Sequence, residues 1–134
     1  MHRAKLFFLC LVTLLASCGT TQSGGATTPA FVGTWHQDES ECAGAQPVRE
    51  LIFSADGRYS VTWMPFETYK DYWGGWRYDA RTRVLTLTVD GGNRVPTDAV
   101  LSGEASADAH QLTLGAISLG SPREGARCTA TFRR

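Results

Sequence analysis

After residue 30 the chain has no stretch with a helical hydrophobic period, and nowhere does it hold the ~20 consecutive apolar residues that a membrane-spanning helix needs. It also lacks a clustered basic surface. Its 13 Lys and Arg stand mostly singly among 13 Asp and Glu, so nucleic acid is not an expected partner. Metal-ligand spacing is missing too: there is no CxxC and no histidine pair near a cysteine. His36, Asp38, Glu39 and Glu41 form a short charged cluster. A hard cation needs more ordered oxygen ligands and zinc needs more His or Cys, so the cluster reads as a solvated loop. His110 reads as a surface turn residue. No nucleophile elbow, His-Glu-x-x-His helix or phosphate-cradling glycine loop is found. Glu67 and Asp71 stand i,i+4 and could pair as acid and base, but Lys70 beside them makes a surface ion pair equally good. The expectation is a non-enzyme with no cofactor and no metal.

What the chain does have begins at its first residue. Met1-His2-Arg3-Ala4-Lys5 is a basic head, and residues 6–16 are apolar apart from one threonine. That run is too short to span a membrane and suits the core of a secretory signal, giving a signal peptide over residues 1–17. Leu15-Ala16-Ser17-Cys18 follows directly and resembles the lipobox of bacterial lipoproteins. The resemblance implies cleavage before Cys18, whose thiol then carries diacylglycerol and whose amine carries an acyl chain such as palmitate. Several chains at ~0.8 kcal/mol per buried methylene give a durable membrane anchor. Gly19 stands where the family's inner-membrane retention signal places Asp. The resemblance therefore implies a lipid-anchored envelope protein, on the periplasmic side of the outer membrane in a Gram-negative cell. Residues 19–30 carry no charge and no large apolar side chain, so with Cys18 they make a lipidated flexible tether over 18–30.

One domain's worth of chain remains, residues 31–134. Once Arg3 and Lys5 leave with the signal, 11 basic residues face 13 acidic ones, a net of −2. Cys10 also leaves and Cys18 is lipidated, which isolates Cys42 and Cys128 in a disulfide-permissive compartment. A bridge between them is expected and would be worth ~4–5 kcal/mol on the chain-entropy argument. The alternative, a metal or redox pair, lacks supporting spacing.

Short runs rich in Val, Thr, Tyr, Phe, Trp and Leu, punctuated by Gly, Asp and Pro, predict eight strands. They fall at 32–37, 48–54, 58–64, 75–79, 84–89, 98–104, 111–116 and 127–133. Ala55-Asp56-Gly57 marks the clearest hairpin. Tyr59, Val61 and Trp63 alternate with Arg58, Ser60 and Thr62, and Leu85, Leu87 and Val89 with Thr86 and Thr88. Eight such strands suit an antiparallel up-and-down barrel, in which the first and last are neighbours and Cys42 can reach Cys128. Gly33-Thr34-Trp35 at the first strand looks like the Gly-x-Trp signature of lipocalins and related calycin barrels. The stretch from Leu51 to Tyr59, followed by Gly75-Trp76-Arg77-Tyr78, resembles small bacterial lipocalin-like domains. The resemblance implies that Trp35 closes one barrel end under a basic residue of the last strand. Arg133 is the choice for that residue, with Arg127 and Arg134 as rivals. The domain is shorter than a typical lipocalin, and small eight-stranded barrels can be filled by their own side chains.

Aromatic residues crowd between Tyr59 and Tyr78. Alternation points Tyr59, Trp63, Trp76 and Tyr78 into the core. The intervening loop has a near three-residue aromatic period and reads either as a plug or as the wall of a binding site. A site there would be an open mouth lined by Trp63, Phe66, Tyr69, Tyr72 and Trp73. Two functions follow: binding of a small hydrophobic ligand at that mouth, or a filled barrel engaging an envelope protein, as a hydrolase inhibitor or assembly accessory.

Overall fold

The computed structural model describes residues 28–41, 45–64, 70–119 and 128–134. Eight strands follow one another: β1 (Gly33–Trp35), β2 (Val48–Phe53), β3 (Arg58–Trp63), β4 (Tyr72–Asp79), β5 (Val84–Gly92), β6 (Val100–Ala107), β7 (Gln111–Gly115) and β8 (Ala130–Arg133). Each pairs antiparallel with its neighbour in sequence, in one sheet ordered β1 to β8. His36 and Arg133 join the two edges through a pair of backbone hydrogen bonds of 2.7 and 2.8 Å, leaving a nearly closed barrel.

The two barrel ends are built differently. At one end the connections are residues 54–57, 80–83 and 108–110, and each contains or follows an aspartate that folds it. Asp56 Oδ1 accepts Arg58 N at 3.0 Å, Asp79 Oδ1 accepts Arg81 N at 2.9 Å, and Asp108 Oδ1 accepts His110 N at 2.7 Å. A short acceptor two residues ahead of a main-chain N–H makes the tight Asx turn that a hairpin requires. Gly57 supplies the positive φ of +85° in the first of them. At the other end the connections are long: residues 36–47, 64–71, 93–99 and 116–129.

The tight-turn end is closed by the chain entering it. Phe31 is 2% exposed and its ring stands edge-on to Phe53, Trp76 and Tyr78, with centroids 5.2, 5.1 and 4.9 Å away. Such pairs contribute about 0.5–1.5 kcal/mol each beyond the area they bury. Trp35 is fully buried above them and donates from Nε1 to Phe31 O at 2.6 Å. The cation over its ring is Arg134, with the guanidinium carbon 4.4 Å from the centroid, and not the expected Arg133. Strand alternation decides between them. Phe132 points inward and Arg133 outward, and the next side chain returns across the barrel end.

Inward residues of every strand fill the interior. Trp35, Leu51, Phe53, Val61, Tyr72, Leu85, Leu87, Leu112, Leu114 and Phe132 are each no more than 1% exposed. β4 starts at Tyr72, three residues before the expected start, because Tyr72 and Trp73 pair with Val61 and Ser60 of β3. The Gly74-Gly75 pair reads as a strand boundary, since glycine weakens strands. Here Gly74 is a close-approach site: a Cβ there would lie 1.7 Å from Thr88 O.

A candidate binding site at the open end

At the open end a cleft lies between the strand termini and the long connections, walled by Val48, Trp63, Ile117, Leu119 and Phe132, with Gln37 at its polar edge. Its free volume is ≈ 20 Å³, room for about one water. Gln37, just past β1, ties β2 and β8 together at this rim. Its Oε1 accepts Val48 N at 3.0 Å, and its Nε2 donates to Thr131 O at 3.3 Å. Trp63 is 2% exposed and its indole N–H has no hydrogen-bond partner among the described residues. A buried N–H without an acceptor costs about 1–3 kcal/mol.

Asp71 organises the neighbouring loops. It is 1% exposed, and its Oδ2 accepts Trp63 N at 2.7 Å. Arg94 Nε stands 3.8 Å from Oδ1, and the Asp71 carbonyl accepts both Asn93 N and Arg94 N. A carboxylate committed in this way fastens β3, β4 and the 93–99 connection together. Its sequence partner in a proposed acid–base pair, Glu67, lies outside the described residues, and Lys70 is exposed.

The five aromatics expected to line one mouth do not share one surface. Trp63 ends β3 and faces inward. Tyr72 is fully buried in β4, its hydroxyl donating to Leu119 O at 2.6 Å. Trp73, the next residue, points outward and is 41% exposed. Its indole packs on Gly91 of β5, where a Cβ would come within 3.5 Å of it. The period of two in β4 separates Tyr72 from Trp73, where a three-residue period had suggested a common face. Phe66 and Tyr69 lie outside the described residues.

Four large apolar side chains are exposed among the described residues: Met64, Trp73, Val95 and Val100. All four sit in the open-end half, at the end of β3, the start of β4, the 93–99 connection and the start of β6. Met64, Val95 and Val100 carry no motif, and they share with Trp73 only the open-end side that the strand order gives them. Glu41 is drawn into this end as well, its Oε2 accepting Thr131 N of β8 at 2.8 Å. Cys42, the next residue, lies outside the described residues, while Cys128 stands just ahead of β8. The proposed lipid site Cys18 and the leader before it also lie outside them. No protein-family model, curated protein or solved structure matches the chain.

Proposed function

We propose that this protein is a lipid-anchored lipoprotein of the cell envelope, a non-catalytic barrel that engages a partner protein through the outer rim of its open end. The observation that carries this reading is the filled interior. A pocket for a drug-sized apolar ligand needs about 300 Å³ or more, whereas the cleft that the described residues form at the open end offers ≈ 20 Å³. The exposed apolar side chains gather instead on the outside of that end. Trp is enriched at interface centres because it combines a large apolar area with a donor, and Trp73 has both. The lipocalin-like identity rests on Gly33, Trp35 and their cation, here Arg134. A Cys42–Cys128 disulfide belongs to the same reading. Glu41 and Gln37 both bond to Thr131, which brings the residue before Cys42 alongside β8.

A photo-crosslinker placed at Trp73 in the anchored protein should give a discrete protein adduct, and one at Arg81 in the opposite turn should not. Equal labelling from both positions, or none from Trp73, would contradict the reading. The second reading, a small hydrophobic ligand at the open end, is favoured by the unpartnered Trp63 N–H, which an acceptor on such a ligand would satisfy. Native mass spectrometry of protein extracted from its own cells would reveal that ligand as a bound mass lost with Trp63→Phe.

A further inference from the structure

The structure polarises the molecule along the barrel axis. The chain enters at the closed end, where Pro29 O accepts Val32 N at 3.0 Å and Ala30 O accepts Arg134 Nη2 at 2.9 Å. Formal charge divides the same way. Around the closed end the described residues include Arg58, Arg77, Arg81, Arg83, Arg133 and Arg134 against five carboxylates, counting Asp90 with its ion-pair partner Arg58, a net of +1. Around the open end three basic residues meet six acidic ones among the described residues, Asp38, Glu39, Glu41 and Asp98 included, a net of −3.

We propose that the arginine-bearing closed end faces the bilayer, against anionic lipid headgroups, and that the acidic open end with its apolar rim points away from it. The proposal rests on Cys18 being the lipidated residue. Nine residues, 19–27, then separate the anchor from Thr28. A Gly/Ser/Thr chain of that length has a root-mean-square span of roughly 15–18 Å. The eight-residue β4 alone covers roughly 26 Å. The tether therefore holds the closed end near the membrane, and the opposite end would reach it only if the barrel tipped over against a stretched tether.

Electrostatics acts in the same direction. The Debye length is ~8 Å at physiological salt, shorter than the barrel, so an anionic surface meets the two ends separately. It attracts the closed end, where guanidinium forks match phosphate geometry, and repels the open end. Arg77, Arg81 and Arg133 are exposed there. The orientation keeps Met64, Trp73, Val95 and Val100 out of the lipid and available to a protein.

The test uses the lipidated, oxidised protein in vesicles of phosphatidylcholine with one quarter phosphatidylglycerol, carrying a quencher on the headgroups. A fluorophore is attached through Ala80→Cys in the closed-end turn or through Thr97→Cys in the 93–99 connection. The Ala80 probe should be quenched at least threefold more than the Thr97 probe. Combining Arg77→Gln, Arg81→Gln and Arg133→Gln should bring the two probes closer together, as should vesicles of phosphatidylcholine alone. Equal quenching, or stronger quenching at Thr97, in protein whose mass shows an acylated Cys18 would overturn the orientation. A mass without acyl chains would overturn the lipoprotein reading, and the orientation with it.

Discussion

The Arg134 guanidinium lies 4.4 Å from the centroid of the Trp35 ring and also donates to Ala30 O and Val32 O. One side chain thereby joins the end of β8 to the entering strand and caps the buried indole. Gly33 makes the passage open: a Cβ there would stand 3.1 Å from Arg134 Nη2, on a backbone with φ of +142°. Arg134→Ala should cost about 1–3 kcal/mol, the sum of a partly desolvated cation–π contact and two hydrogen bonds. Arg133→Ala should stay within about 0.5 kcal/mol, as ordinary surface substitutions do. Urea denaturation of both variants measures the difference.

Asp71 gives a second prediction. Its carboxylate is buried and accepts Trp63 N. Asp71→Ala leaves that N–H without a partner and should cost about 2–4 kcal/mol. Asp71→Asn keeps an oxygen acceptor and should cost less. Equal losses for the two variants would show that the hydrogen bond contributes little.

The Tyr59 hydroxyl is buried without a hydrogen-bond partner among the described residues. Burial pushes its pKa above the ordinary tyrosine range, the Asp90 charge adds to this and Arg58 opposes it. A raised pKa leaves stability unchanged below the unfolded-state value of ~10 and removes it above. Stability should therefore fall as pH rises past about 10, with Tyr59 ionising only on unfolding, followed by absorbance at 295 nm. Tyr59→Phe should be neutral or stabilising by up to about 1 kcal/mol, because it removes an unsatisfied polar group. At the acid end Asp108 behaves oppositely. Hydrogen bonds from His110 N–H, then Gln111 N–H, hold its carboxyl below the ordinary range. Its contribution is present above about pH 4 and fades as pH falls through its folded-state pKa.

Much of the fold is legible in the sequence where a period of two meets an unambiguous turn. Tyr59, Val61 and Trp63 alternate directly after Asp56-Gly57, and β3 begins at Arg58 as expected. Leu85 and Leu87 likewise face inward. The misreadings arise where tertiary contact overrides the local pattern. Gly74 is needed beside Thr88 O, yet it reads as the end of a loop, so Tyr72 and Trp73 were expected off the sheet. The cation over Trp35 lies one residue past its expected position because alternation continues beyond the last ladder pair. The apolar rim is not legible, since Met64, Val95 and Val100 are scattered in sequence and only the strand order sets them at one end.

That rim can be separated from stability. Trp73→Ser with Val100→Thr should cost no more than about 2 kcal/mol and leave the barrel folded, since Val100 is 57% and Trp73 41% exposed and the Trp73 indole packs only on the outer face at Gly91. The same pair should abolish partner crosslinking from a photo-crosslinker carried at Thr97 of the 93–99 connection. If the pair unfolded the barrel, Trp73 would be acting as a covering for β3 to β5 and not as a contact surface.

The most direct test of the central claim is a high-resolution structure of the mature protein purified from its own cells without refolding. The account predicts an interior filled by Trp35, Tyr72, Phe53 and Phe132, with no density beyond a water in the cleft beside Trp63. Elongated density inside the barrel against the Trp63 indole would contradict it and identify a ligand carrier instead.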